Sequence, residues 1–333
     1  MFSTLKKSPG VCTLIEHAGV RQIMIVYSDD REYADQILPS RERWVPYDKK
    51  KAGTNLHGLK KRLFPAGTVH TRVNDMHGRW THALIVKRAP SSHFDHLVDL
   101  SQKDIELPDG TLCLAGSGRK FHGQRQRSWS AIKGNIHLAL YLAPHRVIKR
   151  FHTGFPILAA VSLIDALDAI AALKGRAQIK WVNDILIEGA KIAGFLVHTQ
   201  SMENTVLSAI LGIGLNVEKT PRIKTDRYVP KVSSLMCYVQ ENSAFTQEQV
   251  LSQLLLSLDN NYTLLLDGQY EKLMARYKER SVVIGHNVVV MSDSPGKKPR
   301  QVARGTVVDI GENLELVLKD HPEPITSGRL ILI

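Results

Sequence analysis

Cysteine is scarce: three residues, Cys12, Cys113 and Cys237, stand far apart in a chain of 333. An odd number at such spacing argues against a disulfide framework, and no CxxC or paired-histidine spacing suggests a zinc site. No apolar run is long enough to span a bilayer as a helix. The opening residues Met1 to Gly10 carry no apolar signal-peptide core. No internal repeat or low-complexity tract stands out. A cytoplasmic protein without membrane contact is therefore expected. Acidic residues are outnumbered, 32 against 44 Lys and Arg, for a net charge of +12. That surplus suits anionic partners, although a merely basic surface would look the same. A helix-turn-helix needs two or three amphipathic helices close together, and residues 1–82 lack the apolar periodicity for them. Nucleic acid is accordingly not an expected partner.

Hydrophobic residues make up 43% of the chain, enough for a packed core, and the length suggests two or three domains. Near the start, Arg21 to Tyr27 reads as a strand and Arg31 to Leu38 as a short helix. The lysine clusters Lys49-Lys50-Lys51 and Lys60-Lys61-Arg62 follow in a Gly-punctuated stretch read as solvated loop. From Thr81 the texture changes. Strands are expected at Ala83–Val86, Cys113–Ala115 and Gly134–Tyr141, with a helix from Phe94 to Leu100. Ile157, Leu158, Val161, Ile164, Leu167 and Ile170 recur at helical spacing and predict a long helix with one face on a sheet. Thr246 to Gln249 is a capping box opening another helix, and a further helix is expected from Tyr270 to Tyr277. Beyond about residue 281 short alternating strands, separated by Gly and Pro turns, predict a small β-barrel.

The most informative stretch is Lys180 to Val197: an apolar strand ending in Asn183-Asp184, a tight turn at Glu188-Gly189, and a second strand opening with Lys191. This places a carboxamide, a carboxylate and a lysine at the ends of neighbouring strands, where a hydrophobic sheet holds them rigidly. The constellation suits acid activation: Lys191 can neutralise a substrate carboxylate and an α-phosphate, and Asp184 can hold magnesium. Downstream, Val206 to Leu215 is expected to pair with the Lys191 strand through a turn at Glu203-Asn204. The loop Arg119 to Arg127 is cationic and contains Gly123, as a triphosphate cradle should.

The stretch resembles the signature of biotin protein ligases. Gly212-Ile213-Gly214-Leu215-Asn216-Val217 is similar to a G-x-G-x-N strand of that family, and His122 to Trp129 looks like a worn form of its arginine- and glycine-rich loop. The resemblance covers roughly residues 84 to 220. It implies a mixed α/β (α+β) catalytic domain of class II synthetase-like, biotin/lipoate ligase type at residues 83–279. An SH3-like β-barrel would occupy residues 280–333, and residues 1–82 would form a basic N-terminal region of unassigned role. It implies an ATP-dependent ligase that joins biotin to AMP, with magnesium, and passes the acyl group to a lysine of a biotin carboxyl carrier or carboxylase domain. A homodimer formed through the sheet edge is also implied.

By the same resemblance the catalytic residues would be Lys191, Asp184 and Arg125, with Asp184 as the magnesium ligand. The biotin site would comprise Ser91, Ser92, His93, Gly118, His122, Gly123, Gln124, Lys191, Gly194 and Gly212. ATP would meet Arg119, Lys120, Arg125, Arg127, Trp129, Asn183 and Asn216. Gly194, Gly212 and Gly214 would let backbone approach the ligand, or merely permit a bulge. The chain departs from the family where Ser91-Ser92-His93 replaces Ser-Thr-Asn, and where His122, Gln124 and Gly118 stand for two arginines and a glutamine. Val182 also replaces a common proline. These changes touch acid recognition more than the fold, so the resemblance implies adenylation more strongly than the identity of the acid. Lipoate or octanoate ligases share the chemistry and the Asn-Asp pair, and a non-catalytic binding protein on the same fold is the other alternative.

Overall fold

The computed structural model describes residues 21–47, 56–65, 68–240, 245–293 and 298–333. Cys12 and the Lys49 to Lys51 cluster lie outside the described residues. The strands of the main sheet are β1 (Arg21–Ser28), β2 (Val45–Pro46), β3 (His70–His77), β4 (His82–Val86), β5 (Thr111–Ala115), β6 (Ile136–Leu142), β7 (Arg146–Val147), β8 (Ala177–Lys180), β9 (Asp184–Ile187), β10 (Ala190–Met202) and β11 (Thr205–Leu215). They run in the order β2-β3-β1-β4-β5-β6-β11-β10-β9-β8, with β7 on β11. Most pairs are antiparallel; β4 lies parallel to both β1 and β5. The segment before residue 83 thus extends the sheet that carries the ligase-like motifs.

Helices cover both faces of this sheet, so the central strands read as almost unbroken apolar runs. In β6, Ile136, Leu138, Leu140 and Leu142 face one core while Ala139 and Tyr141 face another. The first core packs against α1 (Arg31–Ile37) and against the helices at residues 151–168, 247–266 and 270–279. The second packs against α2 (His57–Leu63) and α3 (His93–Gln102). The three remaining helices are α4 (Phe151–Asp168), α5 (Gln247–Leu266) and α6 (Tyr270–Glu279). The predicted α4 is present but buried on nearly every side, not on one face, because α5 and α6 cover the side away from the sheet. It is also the one described helix long and apolar enough to cross a membrane by composition, and 72% of it is buried inside the protein.

Local signals explain the element ends. Thr246 caps α5, its hydroxyl accepting from the Gln249 amide at 3.1 Å. Glu188 and Gly189, both at positive φ (50° and 72°), form the two-residue turn that joins β9 to β10. The Lys60-Lys61-Arg62 cluster, expected as solvated loop, lies on α2, and Lys60 is buried. Its ammonium sits 4.5 Å from the ring centres of Tyr27 and Tyr47, and burial lowers its pKa to about 8. The rings supply an attraction that replaces a carboxylate.

The C-terminal strands β12 (Asn287–Met291), β13 (Gln301–Ile310), β14 (Leu316–Leu318) and β15 (Arg329–Leu332) form a separate antiparallel sheet in the order β14-β13-β12-β15. It is tied to the main body at the signature motif: Trp181 Nε1 donates to the Leu314 carbonyl at 2.6 Å.

Candidate active site

Register brings the motif residues together. Asp184 opens β9, pairing with Lys180 on β8 and with Gly194 on β10. The ladder slips between Lys191 and Ala193, and a bulge of this kind re-aims a side chain. Lys191 Nζ reaches Asp184 Oδ1 at 2.6 Å, each side chain about one-fifth exposed. Its backbone is pinned on the other side, its amide donating to the Lys231 carbonyl (2.9 Å) and its carbonyl accepting from the Ser233 amide (3.0 Å). A Cβ at position 194 would stand 3.3 Å from the Lys191 ammonium and 3.6 Å from the Asp184 carboxylate, so Gly194 keeps this pair open on one side. Asn183 is fixed beside them, its amide donating to the Phe195 carbonyl at 2.7 Å.

The indole of Trp129 lies over the pair, with Lys191 Nζ 5.7 Å from its ring centre. Gly212 and Gly214 make room for rings instead of exposing bare backbone. A Cβ at 212 would meet Phe94 at 2.9 Å, and one at 214 would run into Trp129. Asn216 is buried and structural in its bonding, donating to the Ser233 carbonyl at 3.0 Å and accepting from Asn135 at 3.4 Å.

These groups line a cavity of about 310 Å³. Of the residues singled out in the sequence, Ser92, His93, His122, Gly123, Gln124, Arg127, Trp129, Asn183, Asp184, Lys191, Gly194, Gly212 and Asn216 border it. Ser91, Gly118, Arg119, Lys120 and Arg125 do not. Ser91 bonds His96 Nε2 at 2.8 Å, and Gly118 faces Phe121. Ser92 caps α3, accepting from the Asp95 amide at 3.3 Å.

Three imidazoles, His93, His122 and His137, border the cavity. His93 is buried with neither ring nitrogen in a well-aligned hydrogen bond. Burial drives its pKa down to about 3, against a weaker upward pull from the Cys113 backbone. His137 is equally buried and falls to about 4 for the same reason, although it bonds the Ile132 carbonyl. Both are neutral at pH 7; His93 keeps one donor and one acceptor, whereas His137 donates to the Ile132 carbonyl and accepts from the Trp129 indole N–H at 3.4 Å. Burial alone would lower His122 too, but the Gly123 carbonyl and the Asp95 carboxylate, 2.8 Å away, outweigh it and raise its pKa.

Five cations border the same cavity, Lys180, Lys191, Arg127, Lys224 and Arg329, together with the carboxylates Asp184 and Asp226. Lys180 was quoted in the signature but not assigned to the site. It is buried, hydrogen-bonded to the Tyr228 carbonyl, and its pKa is lowered by burial against the opposing pull of Asp184. Its register position opposite Asp184 was the available signal. Phe94, Phe121 and Tyr228 were also missed, as was Arg329, which arrives from β15 and stacks 3.5 Å from the Tyr228 ring centre. No local pattern near Arg329 marks it. Among the described residues no group of three or more His, Cys, Asp or Glu gathers as a metal site.

A cavity bordered by neutral hydrogen-bonding groups and by cations fits a ligand that carries both an uncharged polar part and an anionic part. Residues 96–216 match the profile of the Biotin/lipoate A/B protein ligase family. The chain resembles that family over this region. It is 29% identical over 182 residues to the Bifunctional ligase/repressor BirA of Bacillus subtilis, covering 54% of each chain. Over 100 residues it is 34% identical to the Biotin--[acetyl-CoA-carboxylase] ligase of Paracoccus denitrificans, covering 30% of this chain and 41% of that one. The chain therefore spans about half the length of the curated relatives it matches. In fold it is similar to the biotin protein ligase from Aquifex aeolicus in complex with biotin and ATP. That match has a TM-score of 0.57 at 20% identity, over 75% of this chain and 98% of the other.

Proposed function

We propose that this protein activates biotin with ATP as biotinyl-adenylate and transfers the acyl group to a lysine of a biotin carboxyl carrier domain. The observation that carries the reading is the Lys191–Asp184 pair, fixed on adjacent strands in the cavity wall with Trp129 over the ammonium. In the first step a biotin carboxylate oxygen attacks the α-phosphorus of ATP, and pyrophosphate leaves with the electrons of the broken P–O bond. In the second, the acceptor amine attacks the anhydride carbonyl and AMP departs. Negative charge gathers around the α-phosphate in the first step, where a preorganised ammonium acts most strongly. Lys191 is that group, and Asp184 holds it in place until the anions arrive.

The rest follows by position. His93, Ser92 and the Gln124 region would face the ring of the acid, with Arg127 and Lys180 toward the phosphates. Asn183 and one oxygen of Asp184 would hold magnesium, whose usual sites combine one or two protein oxygens with substrate phosphates. When bound it would offset phosphate charge. Ser91, Gly118, Arg119, Lys120 and Arg125, off the cavity wall, would act through the loops that frame it. The catalytic unit is read as class II synthetase-like over 83–279 and the C-terminal sheet as an SH3-like barrel over 280–333, with residues 1–82 an N-terminal region of unassigned role whose strands β1 to β3 extend the main sheet.

The test is pyrophosphate release with ATP and magnesium, offering biotin, lipoate and octanoate side by side, with Lys191→Ala as control. Turnover with biotin that depends on Lys191 is expected. Turnover with lipoate or octanoate alone would move the protein to the sister activity, and silence with all three would contradict adenylation of these acids.

A further inference from the structure

We infer that Asp293, which follows β12 in the C-terminal sheet, is a positioning residue for nucleotide binding, acting through Arg125 and Arg127. The inference rests on the reading of the 119–127 loop as the phosphate end of the site. One carboxylate oxygen, Oδ2, lies 3.0 Å from Arg125 Nε and accepts from an Arg127 terminal nitrogen at 3.0 Å. Asp293 is the less exposed partner, at 20% against 45% and 39% for the two arginines.

The loop needs such a hold. Neither Arg125 nor Gln126 is a glycine, yet both occupy the left-handed region, at φ 53° and 59°. Consecutive side-chain-bearing residues adopt that backbone only where the surroundings over-determine it. Within the loop the Gly123 amide donates to the Arg127 carbonyl at 2.7 Å, and the Trp129 amide donates to the Phe121 carbonyl at 2.9 Å. Those bonds close the turn but leave the guanidiniums undirected. Asp293 supplies the direction from another part of the fold.

Each guanidinium has five N–H donors in a fixed fork. Asp293 engages one nitrogen of each, so the remaining donors of Arg127, which borders the cavity, stay available to a phosphate. A bidentate phosphate contact needs the plane of the guanidinium set in advance, and a carboxylate behind it does that without filling the binding edge.

The test compares Asp293→Asn, Asp293→Glu and Arg127→Gln by pyrophosphate release, reading KM for ATP and for biotin separately, with thermal melts as a check on folding. Asp293→Asn is expected to raise KM for ATP about tenfold while KM for biotin stays within about twofold. Asp293→Glu should recover part of the loss. Should the Asn variant fail to fold, Asp293→Ser must give the same split. An unchanged KM for ATP, with Arg127→Gln still raising it, would overturn the role of Asp293 alone. A lower KM for ATP would also overturn it, making Asp293 a competitor of the phosphates. If Arg127→Gln leaves KM for ATP unchanged, the phosphate reading of the loop fails and the inference falls with it.

Discussion

Lys191 and Asp184 are each ordinary at a strand end; their force comes from being set 2.6 Å apart under an indole. Removing the ammonium with Lys191→Ala should slow adenylate formation by about 10²–10³-fold, the loss typical of one preorganised charge-stabilising group. Pyrophosphate release under saturating ATP would read it, with far-ultraviolet dichroism unchanged. The buried imidazoles give a second expectation. Unfolded, His93 and His137 have a pKa near 6.5; folded, burial holds them at about 3 and about 4. As pH falls below 6.5 the unfolded chain takes up the protons first, so stability is full above that value and drains away toward pH 4. At pH 5 each histidine should cost about 2 kcal/mol. Denaturant unfolding at pH 7 and pH 5 should show this loss, reduced by about that amount in His137→Gln. A pH dependence identical in the two proteins would mean that His137 is not held neutral by burial.

Two elements carry the site: the β9–β10 hairpin and the strand β11 beside it. Their pairing was readable because an apolar alternation, a Glu-Gly turn and a second apolar run leave little freedom of register. The burial of Lys60 on α2 was not readable, since a run of three basic residues usually marks a solvated face; only the three-dimensional placement of Tyr27 and Tyr47 turns Lys60 inward. The glycines of β11 tell the same story. In sequence they could serve a ligand or a bulge, whereas in the fold Gly214 accommodates the Trp129 ring. Gly214→Ala should therefore push that ring out, costing about 1–3 kcal/mol as overpacking does. A loss of Lys191-dependent turnover and a red-shifted tryptophan emission would accompany it. Trp181→Phe removes the 2.6 Å bond to the Leu314 carbonyl and leaves that acceptor buried. A stability loss of about 1–3 kcal/mol is expected by denaturant titration.

The molecule as a whole assembles its cavity from distant parts of the chain: α3, the 119–129 loop, the β9–β10 hairpin, the segment 221–232 and β15. Contiguous motifs supplied the first three to a reader of the sequence. The last two came only with folding, because Tyr228 and Arg329 meet across about a hundred residues with no spacing rule to link them. Ser91-Ser92-His93 is where the sequence departs from the motif it resembles. The fold keeps His93 buried and neutral on the cavity wall, with neither ring nitrogen in a well-aligned hydrogen bond. The net charge of +12 belongs here too, with five cations among the residues that border the cavity. The most direct test is to quench the protein with biotin, ATP and magnesium and to detect the mixed anhydride by mass spectrometry, in wild type and in Lys191→Ala. Biotinyl-adenylate in the first and almost none in the second is the predicted result. Its absence from wild type, with intact ATP and biotin recovered, would contradict the account.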